Sequence, residues 1–155
     1  SQNIVIGGLF GALPPLLGWS ALTNTIAAQP LILVAIIYTW TPPHFWCLAL
    51  TKIDDYQKAN LPMLPNTHGV EYTKTSILCY SVLLMICTQL PFLLHMVSIY
   101  SWLLINVLNA TLVYIVYQVY NHDSPKVFLR GFLFSNFYLT TLFIIMTCDR
   151  LWHIL

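Results

Sequence analysis

Polar side chains are scarce in this chain, and most of those able to do chemistry lie in one segment. Residues 51–76, TKIDDYQKANLPMLPNTHGVEYTKTS, hold three of the five acidic and three of the six basic residues. Asp54 and Asp55 are adjacent hard-oxygen donors, and Mg²⁺ commonly takes one or two carboxylates and completes its shell with water and substrate phosphate. Lys52, Lys58 and Lys74 could neutralise such a phosphate. The plain alternative is a solvated loop with an Asp54–Lys58 pair that contributes about 0.2–0.5 kcal/mol. Against a purely passive loop stands Leu61-Pro62-Met63-Leu64-Pro65, an apolar, proline-stiffened stretch that is predicted to fold back over the membrane mouth as a lid. Lids of that kind exclude water from reactive intermediates.

His44 is the second candidate. It follows Pro42-Pro43 deep in an apolar run, and an ionisable group in such a run is a functional hypothesis by default. It could bind iron through a ring nitrogen, act as a base, or donate to a bound carboxylate. It could equally be a neutral ring bonded to a carbonyl freed by a proline kink. Trp40 and Cys47 lie about one turn either side and could line the same cavity. Aromatic faces there could stabilise a carbocation.

The elements that must position these residues are membrane helices. Hydrophobic residues make up 58% of the chain and charged residues 7%, far below the roughly 25% charged of a soluble domain. Six basic residues against five acidic ones cannot assemble a nucleic-acid surface. Uncharged apolar runs of roughly 18 or more residues cross a hydrocarbon core as helices, and five occur, near residues 4–22, 31–50, 77–97, 99–120 and 131–148. The fold class is therefore all-α, a polytopic membrane bundle of about five spans.

Pro14-Pro15 and Pro42-Pro43 predict a kink or break in each of the first two spans, with both sites facing one shared cavity. Gly7 and Gly11 form a small-xxx-small pair predicted to receive a neighbouring helix. Asn106, Asn109 and Gln118 of the fourth span are expected to hydrogen-bond between helices. The four cysteines show no metal-type spacing and read as buried small apolar side chains. Asn109-Ala110-Thr111 fits a glycosylation sequon but lies within a span. Connections near 23–29 and 96–98 fall at one end, and those at 51–76 and 121–130 at the other. The latter pair carries Lys52, Lys58, Lys74, Lys126 and Arg130, five of the six basic residues. By the positive-inside rule residues 51–76 face the cytoplasm, or a mitochondrial matrix, while Arg150 stands on the opposite side. Trp19, Trp102 and Trp152 fall near span ends, as an interfacial belt requires.

Five short segments, in order and in register, resemble the heme O synthase (protoheme IX farnesyltransferase) family of intramembrane UbiA-type prenyltransferases. They are Gln2-Asn3-Ile4-Val5-Ile6-Gly7-Gly8, then Gly11-Ala12-Leu13-Pro14-Pro15 with Gly18-Trp19, then Trp40-Thr41-Pro42-Pro43-His44-Phe45-Trp46. Asp55-Tyr56-Gln57-Lys58-Ala59 and Pro62-Met63-Leu64-Pro65 with Thr67-His68-Gly69 and Thr73-Lys74 complete the set. The likeness covers essentially all of residues 1–155 but only the C-terminal part of the family pattern, the last five of about nine spans. The N-terminal half, with the family's first Asn/Asp-rich motif, is an expected partner, and this chain alone is expected to be inactive. Asn60 stands where the family usually has Gly, and Asn tolerates left-handed backbone better than most residues. Asn66 stands where Val commonly follows Leu-Pro.

The resemblance implies farnesyl transfer from farnesyl diphosphate to the 2-vinyl group of protoheme IX, with Mg²⁺ beside the diphosphate. Asp55, with Asp54, would position Mg²⁺ and diphosphate, and Lys52 and Lys74 would lie near the leaving group. His44, Trp40 and Tyr56 would face the heme substrate. Partners implied are the lipid bilayer and a heme A synthase or terminal-oxidase assembly pathway. A bacterial inner membrane is expected, with a mitochondrial inner membrane as the alternative. Two other functions fit the same spans. One is a prenyltransferase with a quinone-precursor or chlorophyllide acceptor; the other is a non-enzymatic heme-binding or transport protein, for which no inverted repeat is visible.

Overall fold

The computed structural model describes residues 3–152, whose regular structure is all helix with no strand among them. Five helical stretches are long and apolar enough to cross a membrane: Asn3–Thr23, Ala28–Thr51, Val70–Leu93, Ile99–Asn121 and Pro125–Trp152. The first is built from α1 (Asn3–Ala12) and α2 (Pro14–Thr23), and the second is α3 (Ala28–Thr51). Short helices α4 (Ile53–Lys58) and α5 (Leu64–His68) then lead into α6 (Val70–Cys87) and the turn-like α7 (Leu90–Leu93). The bundle is completed by α8 (Ile99–Asn121) and α9 (Pro125–Trp152). Gln2 of the first motif lies outside the described residues.

Two span starts lie ahead of the hydropathy reading. Residues 70–76 form the opening turns of α6, and residues 125–130 open α9, because a helix continues beyond the apolar stretch wherever nothing stops it. Gly69 at φ 86° ends α5 and starts α6, and Pro125 begins α9, where its missing N–H costs nothing. The segment 51–76 is thus mostly helical, with Asn60 at φ 53° in the left-handed turn between α4 and α5.

The proline pairs act differently from one another. The first interrupts its span, since α1 ends at Ala12 and α2 begins at Pro14. The second does not break α3, which runs through Pro42 and Pro43 without interruption. That helix is enclosed by α1, α2, α6 and α9, and the Thr39 and Thr41 hydroxyls donate to the carbonyls of Ala35 and Ile37 at 2.8 and 2.7 Å. Enclosure by neighbouring helices is what makes an internal membrane proline tolerable here.

Close packing follows small residues, though not the expected pair. Gly7 and Gly11 are exposed, with open space where a Cβ would stand. Gly8 and Ala12, one position on, are the buried pair on α1, and a Cβ on Gly8 would stand 3.0 Å from the Thr41 methyl of α3. Gly131 lets α9 approach α3 and α8 in the same way, since its Cβ would meet Cys47 Sγ at 3.0 Å and Val119 at 3.1 Å. Of the four free cysteines, Cys47 is buried, Cys87 is half-buried, and Cys79 and Cys148 are exposed, so the expectation of burial fits Cys47 best.

Polar ties fasten the bundle at three depths. Lys74, at the start of α6, pairs with Asp123 in the α8–α9 connection at 2.5 Å and with Glu71 at 3.1 Å. This places residues 51–76 and 121–130 at one end of the bundle. Midway, Asn109 donates to Thr88 at 3.0 Å and accepts from Tyr138 at 2.6 Å, joining α8 to the end of α6 and to α9. Asn106 instead bonds its own helix, at the Trp102 carbonyl. At the far end the buried Asp149 of α9 accepts from the Ser98 N–H and from the hydroxyls of Ser98 and Ser101. A carboxylate is thereby set at the N-terminus of α8, where the helix dipole favours it.

Candidate functional site

The polar end of the bundle is assembled from α4, α5 and the start of α6. Asp54 and Asp55 occupy the first turn of α4 and both are exposed. As neighbours on a helix they point about 100° apart around its axis. Lys52 pairs with Asp55 at 3.5 Å, both side chains standing in water; the ion pair of this face is therefore Lys52–Asp55 in place of Asp54–Lys58. Tyr56 is half-buried in the same short helix. Lys74 is brought to the same end, but its ammonium is held by Asp123 and Glu71.

The proline-stiffened stretch folds back onto the bundle. Met63, Leu64 and Pro65 are buried, with Leu64 in the apolar core, while Leu61 remains exposed. Asn66 reaches from α5 to the Ile53 carbonyl of α4 at 3.4 Å. The Asn3 side chain contacts Met63 Sδ at 3.9 Å, so the top of α1 meets the folded-back segment.

Asn3 also stands at one end of a cavity of about 470 Å³ between α1 and α3. Gly7, Gly8 and Gly11 form one wall, and Ile37, Trp40, Thr41 and Phe45 the other. The proline pairs do not line it: Pro14 is exposed, and Pro42 and Pro43 are buried in the bundle. The cavity falls in the roughly 300–1,000 Å³ range of small-molecule sites, and its walls are mostly hydrocarbon and aromatic.

Trp40 connects this cavity to His44. Their rings stack at 4.3 Å, and Phe132 of α9 stacks on the imidazole at 4.6 Å. His44 Nδ1 lies 2.7 Å from Ser135 Oγ, and the Trp40 indole N–H donates to the Ser135 carbonyl at 2.7 Å. His44 is thus fastened to α9 by a side chain, and not by a carbonyl that the prolines free. Cys47 packs beneath Gly131, away from the cavity wall. Ser135 and Phe132 were invisible to motif reading. The available signal was Ser135, a polar side chain inside an otherwise apolar run, which marks an inward face in a membrane helix; its polar neighbour Asn136 is exposed.

A sequence model of the UbiA prenyltransferase family matches residues 1–139. The chain belongs to the UbiA prenyltransferase family. Among its UbiA-family relatives is protoheme IX farnesyltransferase 2 of Shewanella frigidimarina, 49% identical over 150 residues, covering 97% of this chain and 50% of the relative. The protoheme IX farnesyltransferase of Stutzerimonas stutzeri is 48% identical over 149 residues, 96% of this chain and 50% of the relative. That of Legionella pneumophila is 48% identical over 155 residues, 97% of this chain and 51% of the relative. The chain spans about half the length of the curated relatives it matches. No solved structure matches it.

Proposed function

We propose that this chain forms the C-terminal half of a membrane enzyme that transfers a farnesyl group from farnesyl diphosphate to protoheme IX, giving heme O. The observation that carries the reading is near-50% identity, across almost the whole chain, to proteins named protoheme IX farnesyltransferase. In the transfer, the bond between farnesyl C1 and the diphosphate oxygen breaks with its electron pair leaving on diphosphate. A new carbon–carbon bond forms to the acceptor vinyl group, and water adds to the resulting cation and loses a proton.

Lys52, Asp54 and Asp55 are the residues of this half that would meet the diphosphate. The two exposed carboxylates suit one edge of a Mg²⁺ site, since Mg²⁺ takes one or two carboxylates and keeps water and phosphate oxygens. Among the described residues no group of three His, Cys, Asp or Glu side chains converges, which fits a site completed by the other half and the substrate. When bound, Mg²⁺ would supply charge neutralisation of the leaving diphosphate. Lys52 adds positive charge at the same end, and the Lys74 ammonium is taken up by Asp123 and Glu71. Met63, Leu64 and Pro65 limit water at the mouth, while Trp40 offers an aromatic face to a developing cation. His44 and Tyr56 complete the acceptor side. By the charge rule this end faces the cytoplasm of a bacterial inner membrane, with the matrix side of a mitochondrial inner membrane as the alternative.

The test is co-expression of the chain with the unmatched half of the Shewanella frigidimarina relative, with heme O read by mass spectrometry. Heme O should appear and should fall at least tenfold in Asp55→Ala. Supplying 4-hydroxybenzoate and protoheme separately identifies the acceptor. Prenylation of the former alone would overturn the heme reading, and heme binding with no prenyl product would point to a carrier.

A further inference from the structure

The His44 ring is fixed at every edge except one. Ser135 Oγ lies 2.6 Å from the Phe132 carbonyl one turn back in α9 and donates to it, and a serine hydroxyl has a single proton to donate. The same oxygen stands 2.7 Å from His44 Nδ1, so there it accepts and Nδ1 carries the hydrogen. A neutral imidazole has one N–H, which leaves a lone pair on Nε2. Stacking by Trp40 and Phe132 holds the plane of the ring, the Ser135 contact sets which ring nitrogen faces α9, and Trp40 is itself tied to the Ser135 backbone. Among the described residues none hydrogen-bonds Nε2, and that atom is not one of the fully buried unsatisfied ones.

On the reading that the acceptor is protoheme, we propose that Ser135 is a positioning residue that holds His44 as the Nδ1–H tautomer, so that Nε2 serves as an axial donor to the substrate's iron. The arrangement is that of metal-binding histidines generally, in which the distal ring N–H is given to an oxygen that fixes tautomer and orientation. It also separates roles that the sequence leaves open. Nε2 without a hydrogen cannot donate to a porphyrin carboxylate, whereas it can bind iron. Trp40, which lines the α1–α3 cavity, links that ligand to the cavity wall.

The experiment uses the chain co-expressed with the unmatched half of the Shewanella frigidimarina relative, purified in detergent and titrated with hemin. Absorption and electron paramagnetic resonance should report imidazole-ligated iron that is lost in His44→Ala. Ser135→Ala should weaken hemin affinity about 10–100-fold, the usual effect of removing such an outer partner, and Ser135→Thr, which keeps the hydroxyl, should restore it. Ligation unchanged in His44→Ala, or affinity unchanged in Ser135→Ala, overturns the proposal. If Ser135→Ala does not fold, ring-¹⁵N spectra of the unsubstituted protein decide, with a protonated Nε2 overturning it. Heme O formation is measured in parallel. Product without His44 ligation sinks this inference and leaves the transferase reading intact. His44 ligation without product does the reverse.

Discussion

Individual residues divide here into those proposed to meet substrate and those that hold the frame. Asn109 belongs to the frame, because its amide serves Thr88 and Tyr138 at once. Interhelical hydrogen bonds in membranes average about 0.6 kcal/mol and reach about 1.7. Asn109→Ala removes two of them, and we expect a loss of about 1–2 kcal/mol, read from unfolding in mixed detergent micelles. A loss within error of zero would mean that water or lipid satisfies both partners. Asp55 belongs to the other class. It is exposed and, among the described residues, its ion pair is with exposed Lys52, and exposed pairs contribute little to stability. Asp55→Asn should therefore leave unfolding almost unchanged while heme O production falls. Equal losses in both would make Asp55 a structural residue.

At the scale of elements, the first two spans show how a one-residue offset changes the meaning of a motif. A Cβ on Gly8 would press on Thr41 whereas one on Gly7 would meet nothing within 4 Å, so the two neighbouring glycines should respond oppositely to substitution. Gly8→Val should destabilise the α1–α3 contact by about 1–3 kcal/mol through overpacking. Gly7→Ala should be neutral or stabilising by up to about 1 kcal/mol, since Ala is the better helix former. Thermal aggregation of the detergent-solubilised protein orders the two variants, and the reverse order would place the contact face on Gly7. The folded-back stretch makes a related point. Its apolar, proline-rich composition announced that it would leave water, and Met63 with Leu64 shows where it goes.

For the whole molecule, topology is the testable quantity. The Lys74–Asp123 pair puts residues 51–76 and 121–130 at one end, and Asp149 with Ser98 puts the termini of α8 and α9 together at the other. Single cysteines at Lys58 and Ser124, introduced into a protein whose own cysteines are changed to Ser or Ala, should react with a membrane-impermeant maleimide from the same side. Cysteines at Thr25 and Met96 should react from the opposite side. Labelling of Lys58→Cys and Ser124→Cys from different sides would break the five-span arrangement.

The sequence by itself determined the helical class, the five spans and the shared end of the charged connections, because each depends on composition, and the turn at Asn60 followed from the family resemblance together with the tolerance of Asn for left-handed backbone. The family was legible too, since its motifs recur as contiguous strings. Only the tertiary structure decided which face of each span turns inward. Along α8 the buried positions Ile105, Leu108, Leu112, Val116 and Val119 alternate with exposed Leu104, Val107, Val113 and Tyr117, and the two sets are equally apolar. Lipid tails are as hydrophobic as leucine, so burial leaves no signature in hydropathy. For the same reason the pairing of His44 with Ser135, 91 positions away, could not be read along the chain. It exists only where α3 and α9 meet.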